Sequence, residues 1–311
     1  MVLQVVLLVL AIVMLYYGAE FALESAEKIG LALGLSPLVI GLIVGFGTSL
    51  PEFFVSQLAS YRGEPGIALG NIVGSNIANL FLILGISGLL GRLFISGKEI
   101  LKQLKLHLVL TIILAVVLLQ KEIYWWGSAL LLGFMAFYLW DTFYSMKKER
   151  AHLANKEAPS HSDDQIGAKE IIHLFAGFAL LYGGGELLVS SGTVLAVNFG
   201  ISNYVISAIF VAFGTSFPEL VTAIMTVKKG KNSDIITGNI IGSNIFNVAF
   251  VLGSLAYYKI EISENFIPEL SSLLLAAIFL LIIAYAKRAF YRFAGILFLS
   301  CYIGMVLYWI R

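Results

Sequence analysis

The sequence predicts an all-α membrane protein: ten transmembrane helices, built as two inverted-topology repeats of five around a site at mid-membrane depth. Three observations predict it: an apolar composition, apolar runs of membrane-spanning length, and a pair of motifs that occurs twice. Of the 311 residues, 59% are hydrophobic and 13% charged. An ordinary soluble domain is about 45–50% apolar and about 25% charged. A formal net charge of +1 gives no basic surface for nucleic acid. The one cysteine, Cys301, lies in an apolar run, which excludes a disulfide framework and reads as a small buried or lipid-facing residue.

Spans are expected near 2–23, 37–61, 66–91, 104–120, 123–145, 169–190, 203–227, 234–258, 266–286 and 290–310. The first lacks a basic leading segment and a small-residue cleavage site, so it reads as a helix and not as a signal peptide. The clear hydrophilic stretch is 146–168, which separates a first half, 1–145, from a second, 169–311. With the N-terminus outside, sixteen of the 20 Lys and Arg lie in inner loops and helix ends. Arg62, Lys121, Lys259 and Arg311 then lie outside. Basic residues concentrate on the cytoplasmic side, so both termini are expected outside and the linker inside.

The halves repeat each other. Gly47-Thr48-Ser49-Leu50-Pro51-Glu52 recurs as Gly214-Thr215-Ser216-Phe217-Pro218-Glu219, with five of six positions identical. The stretch GNIVGSNIANLFLILG from Gly70 recurs as GNIIGSNIFNVAFVLG from Gly238, with ten of sixteen identical. Glu20 and Glu186, each after a Tyr and Gly run, form a weaker third match. Five helices separate equivalent points, and an odd number reverses direction across the bilayer, an arrangement of many transporters. Duplication of a structural bundle would explain a repeat but not why its best-matched stretches are polar.

Glu52 and Glu219 sit inside apolar segments with no Lys or Arg at matching depth. A carboxylate at a helix centre costs roughly 2.5–3.5 kcal/mol on insertion scales. Protons or bound cations are the remaining means of neutralising them. Pro51 and Pro218 cannot donate to the carbonyl four residues back, and they push the preceding residue out of helical geometry. The helix is expected to break or bulge there, freeing carbonyls, with helices 2, 3, 7 and 8 broken around the site. The hydroxyls of Thr48, Ser49, Thr215 and Ser216 complete a set of hard oxygen ligands, suited to Ca2+ or Na+ and not to Zn2+. Two carboxylates match one Ca2+, several Na+ or two protons. Ser75 and Asn79, and likewise Ser243 and Asn247, are four apart and share a helix face. Asn76 and Asn244 lie on other faces, where they would brace the helices. Gly70, Gly74, Gly85, Gly238, Gly242 and Gly253 permit close helix packing. Glu20 and Glu186 read as interfacial residues near helix ends, or alternatively as lining or gating a vestibule, and Asp141 reads as interfacial near a helix end. His107 and His173 read as helix-end or packing residues. Tyr124, Trp125, Trp126, Tyr308 and Trp309 read as interfacial belts.

The paired GTSxPE and GNxxGSNxxN blocks, in inverted five-helix halves, resemble the alpha repeats of the cation/Ca2+ exchanger superfamily over nearly the whole chain. Within it the chain looks like the compact prokaryotic Na+/Ca2+ exchangers. The H+/Ca2+ branch carries a GNxxE pattern where this chain has GTSxPE. The resemblance implies a multi-pass plasma-membrane antiporter and not an enzyme, with no cofactor, exchanging Na+ for Ca2+ by alternating access. It would be electrogenic, and would act without an obligate protein partner, as a monomer. Glu52 and Glu219 would be the principal Ca2+ ligands, with backbone carbonyls from Thr48, Thr215, Gly45 and Ala212. Ser49, Ser75, Ser216 and Ser243 would ligate Na+, and Asn79 and Asn247 would sit at the centre. The first and sixth helices would slide over the rest, helped by Gly18 and Gly183 to Gly185. Some relatives carry Asp at the position of Asn247, and in the K+-dependent branch that Asp accompanies K+ transport. Asn247 therefore implies K+ independence. The short linker implies no folded Ca2+-sensing domain. The rival readings are H+/Ca2+ exchange through the same carboxylates and a cation channel. A membrane enzyme would need duplicated His, Cys or Lys beside the Glu pair.

Overall fold

The computed structural model describes residues 2–63, 65–95, 97–154, 167–198, 212–258 and 260–309. Among the described residues it is helical apart from a two-residue strand pair and an isolated bridge between Glu122 and Glu261. The helices are α1 (Val2–Ala32), α2 (Pro37–Thr48), α3 (Leu50–Tyr61), α4 (Pro65–Ile77), α5 (Leu84–Leu90), α6 (Lys98–Leu118) and α7 (Trp125–Ala154) in the first half. The second half holds α8 (Ala168–Asn198), α9 (Ala212–Thr215), α10 (Phe217–Lys228), α11 (Ser233–Ile245), α12 (Ile267–Tyr285) and α13 (Arg292–Trp309). Among the described residues, seven helical segments are long and apolar enough to cross a membrane: 3–32, 37–61, 65–90, 98–118, 233–258, 267–285 and 292–309. The expected span 169–190 falls within α8, and 123–145 falls within α7 from Trp125 on. The first part of the expected span 203–227 and residues 155–166 of the linker lie outside the described residues.

Several boundaries differ from expectation. Helix α1 runs on to Ala32, because Glu20, Glu24 and Glu27 fall on one helical face and find basic partners there. Lys229 contacts Glu20 at 2.7 Å and Glu24 at 2.8 Å, and Lys231 pairs with Glu27. Glu20 is thus an ion-paired residue inside a helix and not a helix-end residue. Glu186 likewise lies inside α8, and it is exposed. Helix α6 starts at Lys98 and α7 runs past 145 to Ala154, into the stretch read as linker. Asp141 pairs with Lys102 at 2.5 Å. Trp309, expected in an interfacial belt, donates Nε1–H to the buried Glu269 carboxylate at 2.7 Å.

Helix 2 of the sequence reading is two helices, α2 and α3, separated at Ser49, whose φ of −88° and ψ of 8° leave the α region. Ser216 repeats this between α9 and α10 at φ −87°, ψ 5°. In each case the proline stands in the first turn of the following helix, where a missing N–H has no intrahelical acceptor to lose. The third and eighth spans differ from the expected breaks. They carry no internal proline, and they stay helical but widen into π-helix at Ala78–Ile83 and Phe246–Leu252. Such single-turn widenings are frequent at functional sites.

Buried apolar residues fall into two clusters. The larger joins the helices from α2 to α7 with those from α10 to α13 and, among the described residues, takes nothing from α1 or α8. The smaller ties α1 and α8 to one face of α2, with Met225 and Ile235. Helices α1 and α8 meet backbone to backbone. A Cβ on Gly177 would lie 2.5 Å from Ala22 N, and one on Gly18 would lie 2.8 Å from Leu181 N. Helices α2 and α11 form an equally close seam, where a Cβ on Gly238 would stand 2.2 Å from Leu38 O. At one end of the bundle β1 (Leu93–Phe94) pairs antiparallel with β2 (Ala289–Phe290). Elsewhere Ile123 N–H donates to Ile260 O at 2.9 Å.

Candidate cation site

The interrupted helices bring the two motifs face to face. Glu52 lies in the first turn of α3 and Glu219 in the first turn of α10. A helix N-terminus carries a partial positive charge that favours a carboxylate. Both side chains are fully buried, at 0% exposure. The hydrogen bonds cross between the halves. Ser49 Oγ donates to Glu219 Oε1 at 2.8 Å, and Ser216 Oγ reaches Glu52 Oε1 at 3.4 Å. Ser243 on α11 adds a contact to Glu219 Oε1 at 3.4 Å and donates to Gly45 O at 3.0 Å. Thr48 Oγ1 also donates to Gly45 O, at 3.2 Å.

Asn71 braces the opposite side. Its Nδ2 donates to Glu52 O at 3.1 Å and to Ser56 Oγ at 3.0 Å, while its Oδ1 accepts from Thr215 at 3.2 Å. Thr215 is within 3.3 Å of Ser75 Oγ. Asn239, the counterpart of Asn71, donates to Thr222 Oγ1 at 2.8 Å, one position before the counterpart of Ser56. Neither asparagine was singled out from the sequence, although each is identical in the two repeats. Asn79 and Asn247 stand in the two π-helical turns, both at 0% exposure. Asn79 Nδ2 donates to Asn244 Oδ1 at 3.0 Å. Asn76 donates instead to Ile72 O on its own helix, at 2.7 Å. Ala212 opens α9 as the counterpart of Gly45. Two further residues lie beside the motifs, of which His107 reads from the sequence as a helix-end or packing residue. His107, 4% exposed on α6, has Nε2 3.3 Å from Asn244 Nδ2. Phe178 of α8 lies against Gly47.

The unsatisfied atoms are informative. Glu52 Oε2, Glu219 Oε2, Asn79 Oδ1 and both polar atoms of Asn247 are buried without a hydrogen-bond partner. None of the ion pairs among the described residues involves either glutamate. Buried polar atoms are almost always paired, and the unpaired carboxylate and amide oxygens are groups that a cation can satisfy. The donors are oxygens throughout, the chemistry of a hard cation.

A family profile described as "Sodium/calcium exchanger protein" matches residues 3–144 and 169–311. The inner membrane protein YrbG of Escherichia coli is 34% identical over 260 residues, covering 81% of this chain and 79% of the relative. The sodium/calcium exchanger MaX1 of Methanosarcina acetivorans is 28% identical over 338 aligned positions, covering 96% of each. A solved structure of the sodium-calcium exchanger NCX_Mj, soaked with 2.5 mM Na+ and 0.1 mM Ca2+, superposes with a TM-score of 0.85 at 29% identity. That match covers 99% of this chain and 98% of the other.

Proposed function

The chain belongs to the sodium/calcium exchanger protein family, and from that premise we propose that it is a secondary active antiporter exchanging Na+ for Ca2+ by alternating access. The observation that carries this reading is the pair of fully buried carboxylates, one from each repeat, with orphaned oxygens and no basic partner among the described residues. Ca2+ takes six to eight oxygen ligands in adaptable geometry. Glu52 and Glu219 supply charge, with Thr48, Thr215, Gly45 and Ala212 as carbonyl donors. Ser49, Ser75, Ser216, Ser243, Asn79 and Asn247 supply neutral oxygens to Ca2+ or to the Na+ ions that replace it.

The coupling follows from electrostatics. An empty site holds two negative charges in a low-dielectric interior, so the carrier crosses between its facing states only when cations fill it. Several Na+ for one Ca2+ makes the cycle electrogenic, and the neutral Asn247 makes it independent of K+. The architecture in this reading is ten spans in two inverted halves, 1–145 and 169–311. The linker 146–168 is cytoplasmic, both termini are outside, and the protein is a monomer in the plasma membrane. The near-identical dihedrals at Ser49 and Ser216 and the matching π-helical turns support the two-fold relation. Helices α1 and α8, which contribute nothing to the main buried cluster among the described residues, are the elements that slide. The glycine contacts at Gly18, Gly177 and Gly184 keep them together as a pair.

The test is uptake of radiolabelled Ca2+ into proteoliposomes loaded with Na+, with choline or with acid, for wild type, Glu52→Gln and Glu219→Gln. Uptake that requires internal Na+ and is lost in either variant is the expected result. Uptake driven by the proton gradient alone would assign H+/Ca2+ exchange to the same carboxylates. Efflux of preloaded Ca2+ with no counter-ion outside would overturn the coupling argument.

A further inference from the structure

One buried titratable side chain has no role in the proposed exchange: His107. It comes from α6, outside both repeated motifs. Its Nε2 faces Asn244 Nδ2 at 3.3 Å. With the Asn244 amide placed this way its Nδ2 donates, so Nε2 accepts, and the ring is neutral with its proton on Nδ1, a buried atom with no other partner. Asn244 Oδ1 is thereby left facing Asn79, whose Nδ2 donates to it at 3.0 Å. With Nδ2 committed, the polar atom that Asn79 has left is Oδ1, which is buried and unpartnered. The links run in one direction, from the Asn79 amide to Asn244 and from Asn244 to the His107 ring.

The direction matters because the two ends of an asparagine amide have nearly the same shape and opposite chemistry. Turned one way, Asn79 offers a cation a carbonyl oxygen. Turned the other, it offers an NH2 group that repels the cation. The second half has no such device. Asn76, the counterpart of Asn244, spends its Nδ2 on Ile72 O at 2.7 Å, and Asn247, the counterpart of Asn79, has both polar atoms unpartnered. The relay therefore makes the two central asparagines unequal, one held and one free to turn. We propose that His107 is a positioning residue that acts through Asn244 to hold Asn79 with its carbonyl oxygen toward the transported cation. This rests on the reading of the buried carboxylates as a cation site.

The experiment is equilibrium binding of radiolabelled Ca2+ to the purified full-length protein in detergent. His107→Leu fills the space without an acceptor, whereas His107→Gln retains an acceptor oxygen. Leaving the Asn244 donor unpaired removes the bias on Asn79, so His107→Leu is expected to weaken Ca2+ binding on the order of tenfold. His107→Gln is expected to restore most of it. In an Asn79→Ala background, His107→Leu is expected to change nothing further. Should the leucine variant fail to fold, His107→Phe takes its place with the same expectation. A packing role alone predicts that Leu and Gln weaken binding equally, or that Leu is the better tolerated, and either result overturns the relay. So does an undiminished effect of His107→Leu when Asn79 is Ala. A wild-type protein that binds no Ca2+ overturns the cation-site reading itself, a failure distinct from that of the relay alone.

Discussion

Gly41→Ala adds one methyl group at the seam between α2 and α11. The added Cβ would lie 2.2 Å from Ile235 O, 2.9 Å from Asn239 N and 2.9 Å from Gly238 Cα. A carbon and a carbonyl oxygen approach comfortably to about 3.3–3.6 Å. The helices must therefore part by about 1 Å, since the obstructing atoms are backbone and cannot rotate away. Overpacking of this kind costs about 1–3 kcal/mol. The larger consequence is at the site. The bond from Ser243 Oγ on α11 to Gly45 O on α2 is 3.0 Å long, and about 1 Å more puts it outside hydrogen-bonding range. Ser243 also contacts Glu219 Oε1 at 3.4 Å, so the shift displaces a hydroxyl that faces the carboxylate. The expected outcome is a lower melting temperature and Na+-driven Ca2+ uptake slowed on the order of a hundredfold, as for an angstrom-scale misplacement of reacting groups. Gly133→Ala on α7 is the control, because a Cβ there meets nothing within 4 Å. Both substitutions gain about 1 kcal/mol of helix propensity. Melting and uptake would be measured side by side on purified and reconstituted protein. A Gly41→Ala protein that melts and transports like Gly133→Ala would refute the close seam as the device that holds the site.

Two further outcomes follow from contacts around the site. A Cβ on Gly47 would lie 2.2 Å from Cζ of Phe178, the tip of a side chain, so Gly47→Ala should slow uptake and Phe178→Ala in the same chain should recover most of it. A double variant no faster than the single would show that Gly47 is needed for backbone reasons instead. At the far end of α1, burial pulls the Lys229 ammonium down, but its hydrogen bonds to Glu20 and Glu24 outweigh this and its pKa is raised. A lysine raised in the fold stays charged through neutral pH and loses its contribution only as pH climbs above the ordinary lysine range. The contact should therefore weaken with salt and not with moderate changes of pH. Partly exposed pairs contribute at most about 1 kcal/mol each. Lys229→Ala with Lys231→Ala should leave the melting temperature nearly unchanged while raising amide hydrogen exchange over residues 20–32. Unchanged protection there would mean that the ion pairs do not hold α1 in place.

The repeat was legible because gene duplication leaves identical residues where both copies are constrained. The two GTSxPE blocks and the SN-x-x-N spacing named Glu52, Glu219, the serines and the central asparagines before any coordinate was known. The interruptions at Ser49 and Ser216 were equally readable, since a proline inside an apolar span has few ways to sit in a helix. Other features were not legible. A π-helical turn has no composition of its own, and the widening at Asn79 and Asn247 leaves no proline or glycine signature. The ion pairs of Glu20, Glu24 and Glu27 depend on which loop lies beside α1, and two lysines on either side of Gly230 say nothing about that.

His107 marks the boundary most sharply. In the chain it is a lone histidine in an apolar helix, more often packing than chemistry, and its partner Asn244 lies 137 positions away. The sequence alone determined the class of the protein, an all-α membrane chain with a duplicated polar motif, and the chemical type of its site, because the expense of burying a carboxylate in lipid is a property of the residue itself. The tertiary structure decided which serine reaches which glutamate, which amide atoms are left unpaired and which helices stand outside the main core. Those are matters of distance and direction, set by how backbones pack at their glycine seams.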